Sequence, residues 1–152
     1  MSSSPIHIRE ALPRDEPALV AMGERAGMGT LFGFGSTLVA CQEDGTPVGF
    51  CRIRTFDGIP YVNPIVTDER ARGMGVGAAL MKRANERFGE LRFVARGYAI
   101  PFYRSLGCKE IPWQLLCPEV AGDCDTCGDF ECCKPLPMMM PPSAACAQKD
   151  PA

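Results

Sequence analysis

Several landmarks of easily recognised protein classes are missing from this chain. No apolar run approaches the roughly 20 residues that a membrane-spanning helix needs, so no such span is expected. The opening Met1–Pro5 has neither a basic n-region nor an apolar h-region, so no secretory signal is expected and the default location is cytoplasmic. Neither sign of charge prevails. Sixteen Lys and Arg face 18 Asp and Glu, a net charge of −2, which removes any bulk electrostatic case for nucleic acid. Histidine occurs once, as His7 on a short predicted strand, where a structural role is the simplest reading. No internal repeat is visible.

What is present is ordinary in bulk. The 152 residues suffice for about one domain with a real core. Hydrophobic residues make up 46% and charged residues 22%, as in common soluble proteins. Cysteine is the exception, with nine. Cys41, Cys51 and Cys108 sit in apolar or element-end contexts and read as reduced core thiols. The other six fall between Cys117 and Cys146, where clustering points to metal or redox chemistry before structural disulfides.

Along the chain, residues 6–12 alternate as a first strand. Asp15 is placed to cap a helix running from Glu16 to about Arg25, with Pro17 in its first turn. The glycine-rich stretch 26–36 reads as a loop or a broken helix that suits a substrate-facing segment. Two β-rich runs around Asp44-Gly45 predict a hairpin, and after the turn at Asp57-Gly58 the next strand covers residues 60–67. A helix follows from Val76 to about Phe88, with Val76, Leu80, Ala84 and Phe88 on one stripe. Then come a strand at 91–95, a helix at 98–105 closed by Gly107, and a last strand over 109–116. The expected fold is a mixed α/β single domain. The pattern fails after Cys117, and the Pro- and Met-rich segment after Lys134 reads as tail.

Arg70 to Leu80 carries the chemical signal. Glycines at a helix start expose backbone N–H groups at the positive end of the helix dipole, a cradle for phosphate or pyrophosphate. Gly73, Gly75 and Ala78 satisfy the dinucleotide pattern G-x-G-x-x-[GA], but that motif belongs after the first strand of a parallel βαβ unit, whereas this one follows a meander. No Lys-Ser/Thr follows the glycines, so a triphosphate loop also fails.

Arg72-Gly-Met-Gly-Val-Gly77 resembles the [RQ]-x-x-G-x-[GA] motif of the GNAT N-acetyltransferases. Residues 99–108 are similar to that family's A-x-x-[FL]-Y-x-x-x-G-[FC] helix, and residues 8–17 to its usual start. The joint match, in the family's order and spacing, covers about residues 6 to 112. It implies a GNAT-type fold over residues 1–116, with a central mixed, mostly antiparallel sheet flanked by helices. Beyond it lie a Cys-rich extension at 117–134 and a tail at 135–152.

The resemblance implies an acyltransferase that uses acetyl-CoA as cosubstrate and a primary amine of a small molecule or peptide as acceptor. A homodimer is compatible with it. By carry-over, Arg72, Gly73, Met74, Gly75, Val76, Gly77 and Ala78 would hold the pyrophosphate. Ile65, Val66 and Thr67 would pair with the pantetheine arm, and an N–H near Val66 would polarise the thioester carbonyl. Tyr103 matches the tyrosine that commonly protonates the departing thiolate.

The match has two departures. Many relatives carry a Glu on the central strand as base. Residues 61–67 offer Tyr61, Asn63 and Thr67, of which Asn63 is the candidate for holding a water, and Asp57, Asp68 and Glu69 read more simply as solvated loop charges. Arg96 stands where many relatives have Asn, and either contacts the cofactor or faces solvent. The alternative class is a non-catalytic acyl-CoA-binding or metal- or redox-sensing module on the same fold.

Cys117, Cys124, Cys127, Cys132 and Cys133 form C-x6-C-x2-C-x4-C-C. Zinc would use Cys117, Cys124, Cys127 and one of Cys132 or Cys133, because adjacent cysteines rarely ligate one ion together. An iron–sulfur cluster, buried or free thiols, and a reversible Cys124–Cys127 disulfide are the other readings. The surrounding Asp123, Asp125, Asp129 and Glu131 disfavour a bare thiolate and so lean toward a bound cation. Metal analysis of anaerobically purified protein separates these: a structural zinc site gives close to one equivalent, and less than about 0.2 rejects it.

Overall fold

The computed structural model describes residues 6–125 and 133–143. In chain order the elements are β1 (His7–Glu10), α1 (Glu16–Arg25), β2 (Thr37–Cys41), β3 (Pro47–Phe56), β4 (Ile59–Thr67), α2 (Val76–Phe88), β5 (Leu91–Ala95), α3 (Ile100–Ser105), β6 (Lys109–Glu110), α4 (Pro118–Asp125) and β7 (Leu136–Met140). The strands form a sheet in the order β1-β2-β3-β4-β5-β7-β6. The pairs β1–β2, β2–β3, β5–β7 and β6–β7 are antiparallel. β4 and β5 are parallel, in register at Tyr61 and Arg92. This is the mixed, mostly antiparallel sheet with flanking helices that the family resemblance implied. Among the described residues, no helix is long and apolar enough to cross a membrane.

By internal contacts the chain forms two compact units, residues 1–54 with 62–84, and residues 55–61 with 85–152. In the first, Leu19 and Met22 of α1 pack with Val39 and Cys41 of β2, Phe50 of β3 and Val66 of β4. Met28, Leu31 and Phe34 of the glycine-rich stretch lean on this cluster. That stretch is therefore an apolar-anchored loop rather than a second helix. The β2–β3 hairpin turns at Asp44-Gly45, where Gly45 adopts φ +91° and Asp44 Oδ1 accepts the Thr46 N–H at 2.9 Å. Asp15 does not cap α1. Its buried carboxylate accepts the Leu12 N–H at 2.7 Å and pairs with Arg9 at 2.7 and 2.9 Å, and the Arg9 bond holds it below the usual carboxylate range.

The core of the second unit is Tyr61, Ile111, Leu116, Cys117 and Val120, with Trp113 and Met139 against it. Burial raises the Tyr61 hydroxyl pKa, and that hydroxyl accepts the Cys117 N–H at 2.9 Å.

Two sequence expectations are corrected here. The last strand predicted over 109–116 stops at Glu110 and gives way to a 3-10 turn over Trp113–Leu115, because Pro112 has no N–H for a ladder. The segment read as tail from residue 135 includes β7, paired with β5 from Leu91↔Met140 to Ala95↔Leu136 and with β6 at two positions. Leu136–Met140 has no β-branched residue, so its strand character comes from its partners and from the full burial of Met138 rather than from propensity.

Asn85, buried near the end of α2, donates its side-chain amide to Gly89 O at 2.9 Å and to Pro141 O at 2.8 Å. It thus ties the helix end to the chain leaving β7. Asn85→Ala strands both carbonyls and is expected to lower stability by about 1–3 kcal/mol in denaturant unfolding. Asn85→Asp, which cannot donate, should behave similarly.

Candidate functional site

The end of β4 is turned by Asp68. Its backbone N–H bonds Val48 O at 2.8 Å, holding it against β3. Its Oδ1 accepts the Arg70 backbone N–H and Nε, both at 3.0 Å. Its Oδ2 accepts Arg70 Nη2 at 3.2 Å and Arg25 Nη2 of α1 at 3.1 Å. Expected as a solvated loop charge, Asp68 is instead buried, while both arginines are largely exposed. The Arg70 hydrogen bonds are the leading cause that takes its pKa down to about 2. A surface hollow of about 550 Å³ lies over Arg25, Asp68, Glu69 and Arg70.

From this knot the chain passes through a 3-10 turn, Glu69–Ala71, into residues 72–75 and then α2. Gly73 and Gly75 have φ of +83° and +76°, where a side chain is strained. A Cβ at either position would meet nothing within 4 Å, so the demand is conformational and the ground beside the loop is open. Arg72 is exposed and Met74 half-buried at the edge of this ground. Val76, Gly77 and Ala78 form the first turn of α2, whose N–H groups a helix leaves without internal acceptors.

α2 is brought close to the sheet by Gly49 of β3. A Cβ there would come within 2.8 Å of Val76 Cγ1 and 3.0 Å of Val66 O. The helix start, the β4 segment Ile65–Thr67 and the glycine loop are therefore packed into one unit. Val66 is buried; Ile65 and Thr67 are half-buried.

Arg52, in the middle of β3, escaped the sequence reading. It is 5% exposed and bonds neutral oxygens: Nε to Asn63 O at 2.7 Å, Nη1 to Phe32 O at 2.7 Å and Nη2 to Asn63 Oδ1 at 3.4 Å. Its guanidinium carbon stands 5.9 Å from the Phe34 ring centre. The signal was available, since a charge interrupts the otherwise apolar run Val48–Ile53, every residue of which is buried. Asn63, expected to hold a water, has its side-chain oxygen turned to Arg52.

The second unit carries the other expected residues. Tyr103 on α3 is 8% exposed, with the rings of Phe93 and Phe102 at 4.6 and 5.1 Å. Arg96 precedes the 3-10 turn Gly97–Ala99 and places Nη1 3.5 Å from the Tyr98 hydroxyl. Gly97 lies under the Cys133 carbonyl so closely that a Cβ would collide with it.

Cys41, Cys51, Cys108, Cys117 and Cys133 form no disulfide. Burial pushes the Cys51 thiol up to about 12 and Cys108 to about 11, which makes both inert, as expected of core thiols. Of the expected zinc ligands, Cys117 is buried and Cys133 half-buried. Cys127 and Cys132, with the Cys124 side chain, lie outside the described residues. Among the described residues no group of three or more His, Cys, Asp or Glu is placed to hold a metal.

A family model described as an acetyltransferase (GNAT) domain matches residues 34–110, about half of the chain and all of β2 through β6. The chain belongs to the GNAT acetyltransferase family. It is therefore an acyltransferase of the GNAT type, and the resemblance read from the glycine loop and the Tyr103 helix holds.

Solved structures agree on the fold. Ard1 from Thermoplasma volcanium superposes with a TM-score of 0.68 at 20% identity, covering 90% of this chain and 97% of its own. The ribosomal-protein-S18-alanine N-acetyltransferase from Escherichia coli gives 0.66 at 18%, covering 93% and 96%. N-acetylglutamate synthase from Neisseria gonorrhoeae, complexed with coenzyme A and N-acetyl-glutamate, gives 0.71 at 14% and covers 93% of this chain. This GNAT chain spans only 36% of that synthase. No curated protein matches.

The depressed Asp68 pKa has a definite sign. Its ion pairs contribute fully above the ordinary carboxylate pKa near 4 and are lost as pH falls toward about 2. Protection of the 68–76 amides, taken against the intrinsic exchange rate at each pH, is expected to fall between pH 4 and 2, and Asp68→Asn should show that lower protection already at neutral pH.

Proposed function

We propose that this protein transfers an acetyl group from acetyl-CoA to a primary amine of a small molecule or peptide, by direct attack in a ternary complex. The observation that carries this is the glycine loop, with Gly73 and Gly75 in left-handed conformation over open ground and leading into the first turn of α2. The residues present fit a pyrophosphate: Gly73 to Ala78 supply backbone donors at a helix start, and exposed Arg72 adds charge. A coenzyme A complex of a structural neighbour agrees with this choice.

Acetyl-CoA, when bound, supplies the activated acyl group. Ile65, Val66 and Thr67 would align its pantetheine arm through the β4 backbone. In support, the register position that joins β4 to its parallel neighbour is back at Tyr61. An N–H near Val66 would polarise the thioester carbonyl. The neutral amine then forms the C–N bond as the C–S bond breaks. Tyr103 gives its proton to the departing sulfur, and the proton lost from nitrogen leaves through water held near Asn63. Arg96 is assigned to the cofactor side by its place in the Tyr103 motif.

Tyr103→Phe keeps the ring and removes the proton. Turnover is expected to fall by about 10²–10⁴-fold with acetyl-CoA affinity within about threefold of the unmodified protein. An unmodified protein that binds no coenzyme A species in calorimetry would overturn the assignment.

A further inference from the structure

Arg52 presents a charge that the fold itself does not explain. A guanidinium has five N–H groups and cannot shed its proton in a protein. Three of them meet neutral oxygens, namely Asn63 O, Asn63 Oδ1 and Phe32 O. Among the described residues no carboxylate pairs with it; burial lowers its pKa, and Arg54, of the same sign, lowers it further. Burying an ion without a counter-ion costs several kcal/mol. A neutral donor such as glutamine would hold one or two of the same oxygens without that cost. The charge therefore lacks a partner of opposite sign among the described residues, and a bound ligand can supply one.

Its surroundings say where that partner sits. Asn63 is three residues before Val66 on the same strand, β4. Phe32, whose carbonyl Arg52 holds, belongs to the 26–36 loop and turns a side chain that is 78% exposed to the outside. Arg52 thus lies beneath an open loop bearing an exposed aromatic ring and is bonded to Asn63 of β4, the strand assigned to the thioester. One N–H on each of Nη1 and Nη2 is left over, two donors for the two oxygens of a carboxylate.

We propose that Arg52 is the acceptor-specificity residue and that the amine substrate carries a carboxylate, which Arg52 binds while Asn63 and the Phe32 carbonyl hold the guanidinium in place. This rests on the acetyltransferase reading above and names its substrate class. The occupant is a small amino acid, with an acidic peptide as the competing source of the same carboxylate.

The test compares acceptors that differ only in charge. In steady-state assays with saturating acetyl-CoA, L-glutamate and L-aspartate are set against L-glutaminamide and L-asparaginamide, in which every carboxylate is replaced by a neutral amide, with an acidic-N-terminal peptide as a further arm. At least one free amino acid bearing a carboxylate should exceed its uncharged counterparts by tenfold or more in kcat/KM. Arg52→Gln should raise KM for it by tenfold or more, collapse the preference toward one, and leave acetyl-CoA affinity unchanged. Because Arg52→Gln can also disturb the loop, the unmodified protein is titrated with glutarate and glutaramide. Competitive inhibition by glutarate alone supports the inference, and equal or absent inhibition by the two overturns it.

Preference for uncharged amines, or an equal loss on all acceptors in Arg52→Gln, overturns the carboxylate assignment and leaves the transferase standing. Turnover of the acidic peptide alone replaces the small-molecule source. No coenzyme A binding at all sinks the transferase instead, and with it the site.

Discussion

The buried carboxylate of Asp68 sets the direction of the functional loop. A strand that ends in a glycine-rich turn has little reason to start a helix at one defined angle, since glycine adds conformational freedom where order is needed. Asp68 removes that freedom at one point by binding four donors from two arginines and the backbone. Its own N–H fastens it to β3. Every later feature of the cradle, from the 3-10 turn to the exposed amides of α2, inherits its position from this residue. The cation partners are exposed and contribute little individually as surface pairs. Their value here is geometric, because the carboxylate they share is not exposed.

Gly49 supplies the second constraint. With a side chain there, Val76 and the Val66 carbonyl would have to retreat. A glycine in a strand interior usually weakens it. In this case it lets a helix start and a strand carbonyl share one small volume, so that the loop between them can remain short.

Much of this was legible in the residue pattern. The Asp44-Gly45 hairpin, the α2 stripe and the reduced core cysteines follow from local rules that tertiary structure did not override. The glycine loop was legible because left-handed backbone has few sequence solutions. What failed did so for a common reason: it depended on partners distant in sequence. Asp68 looked like one more loop charge because nothing local shows that Arg25, on another helix, bonds it. Arg52 was passed over because a strand arginine is usually read by its alternation, and here both faces of the strand are covered. Leu136–Met140 lacks every local mark of a strand and takes its conformation from β5 and β6. Asp15 gave the right residue at the wrong task, since a carboxylate before a helix is a cap by pattern and an ion-pair partner only once Arg9 is beside it.

The place of β7 has a bearing on how the second unit comes into being. In the sheet order it lies between β5 and β6, although both precede it along the chain. An interior strand is thus the last of the described strands to leave the ribosome. Until it arrives, β5 offers an open row of backbone donors and acceptors to any passing chain, and the two residues of β6 have nothing to pair with. The pairing of Leu91 with Met140 closes a loop of nearly fifty residues, a non-local contact that slows assembly. Nascent chains of this protein spend that interval with an unprotected edge, and it is then that they have most need of a chaperone.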